Sequence, residues 1–481
     1  MRALIRVGSL ALVVFVTVTA FVLPASAARH GAEAASAPSG AVISLSASKG
    51  TVGTTIWVRG SGFAGGERVA IYFSKVWQVA AVARKTGRFG PVRLTIPVWA
   101  RPATHRISAR GKKSGRSASA SFTVPPDYQN WPQSRFDANQ DGDNVRENVL
   151  SRADVHLLHK DWAFTATATV VSNPVVAAGL AYFSTSDFHI DTANAASGVP
   201  GWNLDFYNQR YSTAAVANGT VFLGSTAQEK LFAFGTAAGQ QKWMFQTNAN
   251  VGAAPTVADG VIYAASDQLY AVNADTGEKI WNFPAASTFS SPAVSNGIVY
   301  VGSSDGNVYA VAAASGLKVW KFTTQGRVFS SPAVSGGTVY VGSNDGNIYA
   351  LDATSGQEKW HFDIGDFVLS SPAVAGGVVY VGGLDHKLYA LNAISGHKIW
   401  AFTTDASIPD SPAVANGVVY VGAGHTVYAL SAATGAKLWS FTAASTGASS
   451  PAIADGRLYI AFGPTLYAFG LSGRSVADGR P

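Results

Sequence analysis

A chain of 481 residues is too long for one ordinary domain, and with 47% hydrophobic residues it can bury a large core. It contains no cysteine, which excludes disulfides, thiolate metal sites, thioether haem attachment and a cysteine nucleophile. Residues 28–125 hold 15 Lys/Arg against two acids, Glu33 and Glu67, a net of +13, whereas residues 126–481 hold 18 against 26, a net of −8. A basic module is therefore joined to an acidic one.

In chain order, residues 1–27 read as a secretory signal peptide: Arg2 and Arg6, then an apolar run, then Ala25-Ser26-Ala27 as the cleavage site. An uncleaved anchor is the alternative. No integral membrane span is expected after cleavage, so the expected location is secreted or cell-surface associated. Residues 28–40, rich in Ala, Ser and Gly, read as a linker. Residues 41–125 hold short period-2 runs such as "TTIWVRGSGF", "RVAIYF" and "ASASFTV", which predict a small β-sandwich. Gly60-Ser61-Gly62-Phe63-Ala64-Gly65 matches G-x-G-x-x-G, but a strand follows where a nucleotide-binding helix would have to start, so these glycines read as a turn. The order "SKGTVGTTIWVRGSGFAGGERV…FTV" resembles immunoglobulin-like modules of bacterial secreted proteins.

Residues 126–159 form a lead-in arm. Asp137, Asn139, Asp141 and Asp143 alternate oxygen ligands around Gly142, as in a calcium-binding EF-hand loop. The glutamate required at loop position twelve is replaced by Asn148, with Glu147 one place early. A polar loop is the competing reading.

From 160 to 471 the chain repeats. Trp162, Trp202, Trp243, Trp281, Trp320, Trp360, Trp400 and Trp439 are spaced by 40, 41, 38, 39, 40, 40 and 39 residues. An inner strand recurs at Pro174, Ala214, Pro255, Pro292, Pro332, Pro372, Pro412 and Pro451. Four β-runs per unit predict an all-β, eight-bladed β-propeller preceded by the immunoglobulin-like sandwich. The first tryptophan precedes any inner strand and the last inner strand has no tryptophan after it. The closing blade is therefore expected to be composite, with Ser449 to Gly470 supplying three strands and the segment around Trp162 the outer fourth. Residues 472–481 are a tail.

"ALDATSGQEKW" (350–360) and "AVNADTGEKIW" (271–281) match A-x-D/N-x-x-T/S-G-x-x-x-W. On this motif the chain resembles the quinoprotein alcohol dehydrogenases and their relatives, the PQQ-like propellers. The resemblance implies tryptophans packed between neighbouring blades. In the enzymes it also implies PQQ and calcium held by a Glu/Asn/Asp set beside an Asp base. No stretch of this chain accepts those roles and the adjacent cysteines are absent, so no cofactor is expected.

Ser315-x-x-Lys318, Ser395-x-x-Lys398 and the variant Thr434-x-x-Lys437 share one repeat turn and read as turn chemistry rather than as activated nucleophiles. His386 and His425 fall at hairpin tips. Nothing has the pattern of a nucleic-acid binder: the propeller is acidic, and the sandwich lacks interleaved aromatics. The departures from the repeat are few. Asp191 stands where other blades have Tyr309, Tyr349, Tyr389 and Tyr428. The next loop, Asp205 to Ser212, carries Tyr207, Arg210 and Tyr211. Asp410 begins an inner strand where other blades have Ser or Ala. Arg210 is placed to pair with Asp191, Tyr207 and Tyr211 to offer flat surfaces at the channel mouth, and Asp410 to accept across the opening. Drift in a terminal blade is the competing reading. The function expected is a non-catalytic binding or scaffold protein, its sandwich on an anionic cell-envelope polymer and its propeller on a ligand or surface protein. A PQQ-dependent oxidoreductase and an envelope protein assembly factor are the alternatives.

Overall fold

The computed structural model describes residues 40–50, 54–96, 103–124, 131–147, 149–205, 211–285 and 289–471. The signal segment, nearly all of the linker, the tail, Asn148, Tyr207 and Arg210 lie outside these residues.

Alternating runs in the basic module form β1 (Val42–Leu45), β2 (Thr55–Ser61), β3 (Arg68–Phe73), β4 (Val76–Val82), β5 (Phe89–Thr95), β6 (Ala103–Gly111) and β7 (Ser117–Val124). They build two sheets, ordered β1-β2-β5 and β4-β3-β6-β7. One face of each sheet is apolar, and Ile56, Val58, Ile71, Phe73, Ile107 and Phe122 meet in a shared core. Glu67 is buried and accepts from the Ala64 N–H at 2.6 Å, the Ser114 N–H at 2.8 Å and the Ser114 hydroxyl at 2.7 Å. Burial opposes its ionisation, but these bonds prevail and hold the carboxyl down at about 2.

The repeat forms eight four-stranded antiparallel sheets, as propeller blades do. Their innermost strands are Val175–Ala177, Ala215–Ala217, Thr256–Ala258, Ala293–Ser295, Ala333–Ser335, Ala373–Ala375, Ala413–Ala415 and Ala452–Ala454, which number the sheets 1 to 8. Each innermost strand lies beside the next, and that of sheet 8 lies beside that of sheet 1. Sheet 8 joins the chain's late strands to an early one: Thr465–Leu471 pairs antiparallel with β8 (Leu158–Thr165), Ala468 opposite Trp162.

Each word of the repeat has a bond to make. In "SSPAV" the first serine hydroxyl accepts the N–H of the second strand of its own sheet, as Ser290 does from Gly302 at 3.0 Å and Ser330 from Gly342 at 3.1 Å. The second serine serves the neighbouring sheet. The Ser291 N–H donates to Ser331 Oγ, Ser331 to Ser371, Ser371 to Ser411 and Ser411 to Ser450. Ser450 then donates to Asn173 Oδ1, and Asn173 to Thr213 Oγ1, carrying the chain of bonds from sheet 8 back to sheet 1 and on to sheet 2. Ala254 of sheet 3 donates onward to Ser291 but has no side chain to accept from Thr213, so the girdle is open at that one junction.

Each tryptophan Nε1–H also crosses to the next sheet. Trp320 donates to the Ala353 carbonyl at 2.9 Å, Trp360 to Ala393 at 3.0 Å and Trp439 to Leu158 at 2.9 Å. The glycine of the A-x-D/N-x-x-T/S-G turn lies flat on the indole: a Cβ on Gly356 would stand 2.6 Å from Trp320, and φ is +72° there. That position needs glycine twice over, for space and for backbone conformation. A large flat ring, buried or half-buried once per sheet with its polar edge bonded, explains the 40-residue beat.

The lead-in arm does something no repeat unit does. The innermost strands turn one unpaired edge toward the axis, and residues 131–144 run past all eight in order. Trp131 exchanges two bonds with Val176 of sheet 1, and the Pro132 carbonyl accepts from Val216 of sheet 2. Gln133 Oε1 accepts from Val257 of sheet 3 at 3.0 Å. The carbonyls of Ala138, Asn139, Asp141 and Gly142 then accept from Val294, Val334, Val374 and Val414 of sheets 4 to 7. Asn144 Nδ2 reaches Ile453 O of sheet 8 at 2.7 Å. The arm is an inner hoop that leaves across sheets 7 and 8 to become β8.

Candidate functional site

The two faces of the ring are built differently. On one lie the hairpins joining second and third strands, together with the connections between sheets: Val328 N–H bonds Ser303 O, and Asn344 N–H bonds Arg327 O. On the other lie the turns joining first and second strands, packed on the tryptophan-docking turns, as where Ala313 N–H bonds Gly297 O. The hoop bonds the middle residue of each three-residue innermost strand. The irregularities of sheet 1 fall on the hairpin face.

In the regular sheets a tyrosine secures the hairpin aspartate. Tyr309 donates to Asp305 at 2.7 Å, Tyr349 to Asp345 at 2.9 Å and Tyr389 to Asp385 at 2.5 Å, whereas in sheet 7 Tyr428 donates at 2.9 Å to Asp405 of the connection from sheet 6. In sheet 1 Asp191 replaces that tyrosine and is buried, 8% exposed. The hairpin acid Asp187 is held instead by Thr167, by Thr185 at 2.6 Å and by His189 Nδ1 at 3.2 Å. Burial opposes ionisation of Asp187, but these partners hold it at about 2. Burial pushes Asp191 up; the His189 imidazole draws it back and Asp187 adds to the rise. His189 Nε2 lies 3.9 Å from Asp205. The structure thus gathers Asp187, Asp191 and Asp205 around His189. Phe188 occupies the hairpin at φ +76°, where Gly306 and Gly346 stand in sheets 4 and 5; Glu229 at +56° and His386 at +66° take the same left-handed place in sheets 2 and 6.

The other expected members are placed differently. Tyr211 is not a surface at the mouth: it is 2% exposed, tucked between sheets 1 and 2 against Phe232, Leu223 and Tyr182. A large aromatic just before an inner strand fills the wedge between two sheets, and burial raises its hydroxyl pKa. Tyr211→Ala is therefore expected to destabilise the protein by about 3 kcal/mol through the cavity it leaves. A thermal melt unchanged from wild type would show that the wedge is not filled. Asp410 belongs to sheet 7 and is separated from Asp191 by the whole of sheet 8, so the two do not form one site. Asp410 is half-buried at the start of its inner strand, where burial pushes it up to about 7 against the pull of Ser450.

The four acids and amides of the arm do not converge as ligands. Asp137 Oδ1 accepts from Asn139 N–H at 2.9 Å and Asp141 Oδ1 from Asp143 N–H at 3.1 Å, turns that shape the hoop. Among the described residues no three His, Asp or Glu side chains are placed to hold a metal ion. Their charge faces Arg135, which is 5% exposed and bonds the Pro372 carbonyl. Burial pulls Arg135 down to about 9 while Asp141 and Asp137 support its charge. Burial and the neighbouring acids raise Asp141 and Asp143 to about 7. Burial raises Glu147 and Asp455 to about 6.

These shifts set a pH dependence. A buried acid with a raised folded pKa holds its proton in the folded state after the unfolded chain has lost it, so stability falls as pH rises through that window. Between pH 4 and 7 Asp141, Asp143, Asp410, Glu147 and Asp455 all act this way. The melting temperature is expected to be higher at pH 5.5 than at pH 8, and Asp410→Asn to reduce the difference. A protein more stable at pH 8 would contradict the burial of these groups.

Sequence reasoning missed Phe289, Phe329 and Leu369, the apolar residue before Ser-Ser-Pro in sheets 4 to 6. Phe289 is 63% exposed on the hairpin face and its ring stands 5.6 Å from Phe329; Phe367, two residues before Leu369, is exposed as well. The signal was present, since the position before Ser-Ser-Pro carries an apolar residue three times running.

Residues 208–304, 266–366 and 346–481, together more than half of the chain, match the family model described as outer membrane protein assembly factor BamB. A stretch of 151 residues is 30% identical to the serine/threonine-protein kinase AfsK of Streptomyces griseus, covering 28% of this chain and 18% of the kinase. Another of 177 residues is 27% identical to the outer membrane protein assembly factor BamB of Moranella endobia, covering 33% of this chain and 45% of that protein. The chain thus spans less than half the length of either relative. Among solved structures, a europium-containing methanol dehydrogenase superposes with a TM-score of 0.62 at 12% identity over 71% of this chain and 98% of its own. BamB from Moraxella catarrhalis does so at 0.57 and 15% over 66% and 99%. Quinohemoprotein alcohol dehydrogenase from Comamonas testosteroni gives 0.60 and 15% over 72% and 81%. At these identities the likeness establishes the fold alone.

Proposed function

The chain belongs to the PQQ-like β-propeller repeat family of BamB and the quinoprotein alcohol dehydrogenases, and from that premise we propose that it is a non-catalytic scaffold of the cell envelope. In this reading the eight sheets are the blades of one closed propeller, the basic sandwich attaches the protein to an anionic surface, and the hairpin face receives a partner protein. The observation that carries the reading is the inner hoop. The innermost strands spend their free edges on residues 131–144, so the axis is filled with main chain. A PQQ cofactor with its calcium does not fit the described residues: the one cation of the hoop, Arg135, is already surrounded by acids, and no three acidic or histidine groups can hold a metal ion.

The exposed Phe289 and Phe367 and the half-buried Phe329 are the surface such a partner would cover. Two measurements test the proposal. PQQ with calcium, added to the full-length protein, is expected to give no saturable rise in melting temperature and no alcohol-dependent dye reduction; a rise with turnover refutes the scaffold reading. A photo-crosslinking residue at Phe367 is expected to trap a discrete envelope protein, whereas one at Leu317, exposed on the turn face, is not. Equal trapping at both positions refutes the hairpin face as the partner surface.

A further inference from the structure

We propose that the outer face of the β1-β2-β5 sheet is a binding site for an anionic glycopolymer, with Trp57 at its centre and Arg59, Arg84, Arg88 and Arg93 around it. This rests on reading the sandwich as the attachment module, and it assigns that role to one face.

The site follows from strand alternation. In β2 the side chains of Ile56 and Val58 enter the core, which turns Thr55, Trp57 and Arg59 outward. Antiparallel register sets Arg93 directly opposite Trp57, and Ser44 opposite Arg59. The turn between β4 and β5 is closed by an Arg84 N–H to Arg88 O bond at 2.8 Å, which brings two more guanidiniums to the same edge. Arg59, Arg84 and Arg88 line one groove of about 840 Å³, and this runs into a second of about 400 Å³ that Trp57 and Arg59 share. Trp57 is 48% exposed.

The chemistry selects the ligand. Guanidinium groups take carboxylate or phosphate oxygens two at a time, and three along one groove with a fourth, Arg93, opposite Trp57 call for repeated anions rather than a single ion. Neighbouring strands stand about 4.8 Å apart and alternate residues along a strand about 6.8 Å, so the cations are spaced as charges recur along a polyuronate or polyol-phosphate chain. Trp57 offers an apolar plane to a sugar or polyol carbon face between two of them. No carboxylate competes: Glu67 is the one acid among the described sandwich residues, and its oxygens are consumed in the turn it builds. Single-stranded nucleic acid would call for several stacking aromatics in file, and this face presents one.

The test is titration of the full-length protein with poly(glycerol phosphate) and with polygalacturonate at low and physiological salt, with neutral dextran and a thirty-base oligothymidylate as comparisons. Wild type is expected to bind at least one of the two polyanions, more weakly as salt rises, and to ignore dextran. Trp57→Ala and the Arg59→Gln/Arg88→Gln double variant are expected to lose about tenfold or more in affinity, equivalent to about 1.4 kcal/mol. Lys112→Gln/Lys113→Gln removes the same charge at the β6–β7 turn of the other sheet and is expected to change affinity by less than about threefold. Equal losses from both double variants, or no loss from any variant, overturn the site but leave the sandwich as a diffuse attachment module. Tighter binding of the oligothymidylate overturns the ligand class. A wild type that binds neither polymer at either salt overturns the attachment reading itself.

Discussion

Deletion of residues 126–166 is expected to abolish cooperative folding. The deletion removes two things at once. Without the hoop, the N–H groups of Val176, Val216, Val257, Val294, Val334, Val374 and Val414 lose their acceptors. Each such bond contributes about 1 kcal/mol net, so seven together rival the whole stability of an ordinary domain, about 5–15 kcal/mol. Without β8, sheet 8 ends at Thr465–Leu471, whose outer edge is then open to pair with another copy of the chain. The expected outcome is soluble aggregate or a broad, low melt by calorimetry. A truncated protein that melts as sharply and as high as full length would show that neither hoop nor closing strand holds the ring.

Trp162→Ala is expected to be the costliest of the tryptophan substitutions, by about 3–5 kcal/mol. Trp162 sits on the seam where the beginning and end of the repeat region meet. Its Nε1–H bonds the Ala195 carbonyl of sheet 1 at 3.1 Å, and the Tyr459 hydroxyl of sheet 8 bonds the same carbonyl at 2.9 Å. The indole face covers Gly198. Every seam, this one included, is crossed by chain running from an outer strand to the next innermost strand; Trp162 stands apart because it lies on β8, the one strand that completes its sheet by pairing the start of the repeat region with its end. Trp57→Ala, on the exposed face of the sandwich, serves as the control and is expected to change stability by less than about 0.5 kcal/mol. Equal unfolding midpoints for the two variants in denaturant would remove the seam's special standing.

The tryptophans and the Ser-Ser-Pro words were legible because one residue type recurs at one spacing and each recurrence makes the same bond. Closure through Trp162 was legible as a mismatch in phase between two periodic signals. Asp191 and Asp410 could be found as departures, but their neighbours could not: His189 reaches Asp187 because the hairpin brings it there, and position in a repeat does not reveal that sheet 8 stands between Asp191 and Asp410. Tyr211 reads as exposed because loop residues usually are, and only the wedge between two sheets shows otherwise. The hoop was illegible in principle. Most of its bonds use main-chain carbonyls, which every residue has, and its Asp-Ala-Asn-Gln-Asp-Gly-Asp composition is shared by calcium loops and plain turns.

The pairing of β8 with Thr465–Leu471 also sets a timetable. Thr165 and Thr465, whose hydroxyls lie 3.2 Å apart, are separated by 300 residues. At about 5–20 residues per second, ribosomal synthesis leaves β8 waiting about 15–60 s for its partner. The hoop waits with it, having been made before any of the eight strands it serves. The first strand of the ring to be translated is thus the last to be satisfied, and the ring cannot form progressively from its N-terminal end. Nascent chains must remain unaggregated for that interval with the edge of β8 that later meets Thr465–Leu471 still open, which makes the elongating chain, more than the finished one, the state exposed to edge-to-edge pairing.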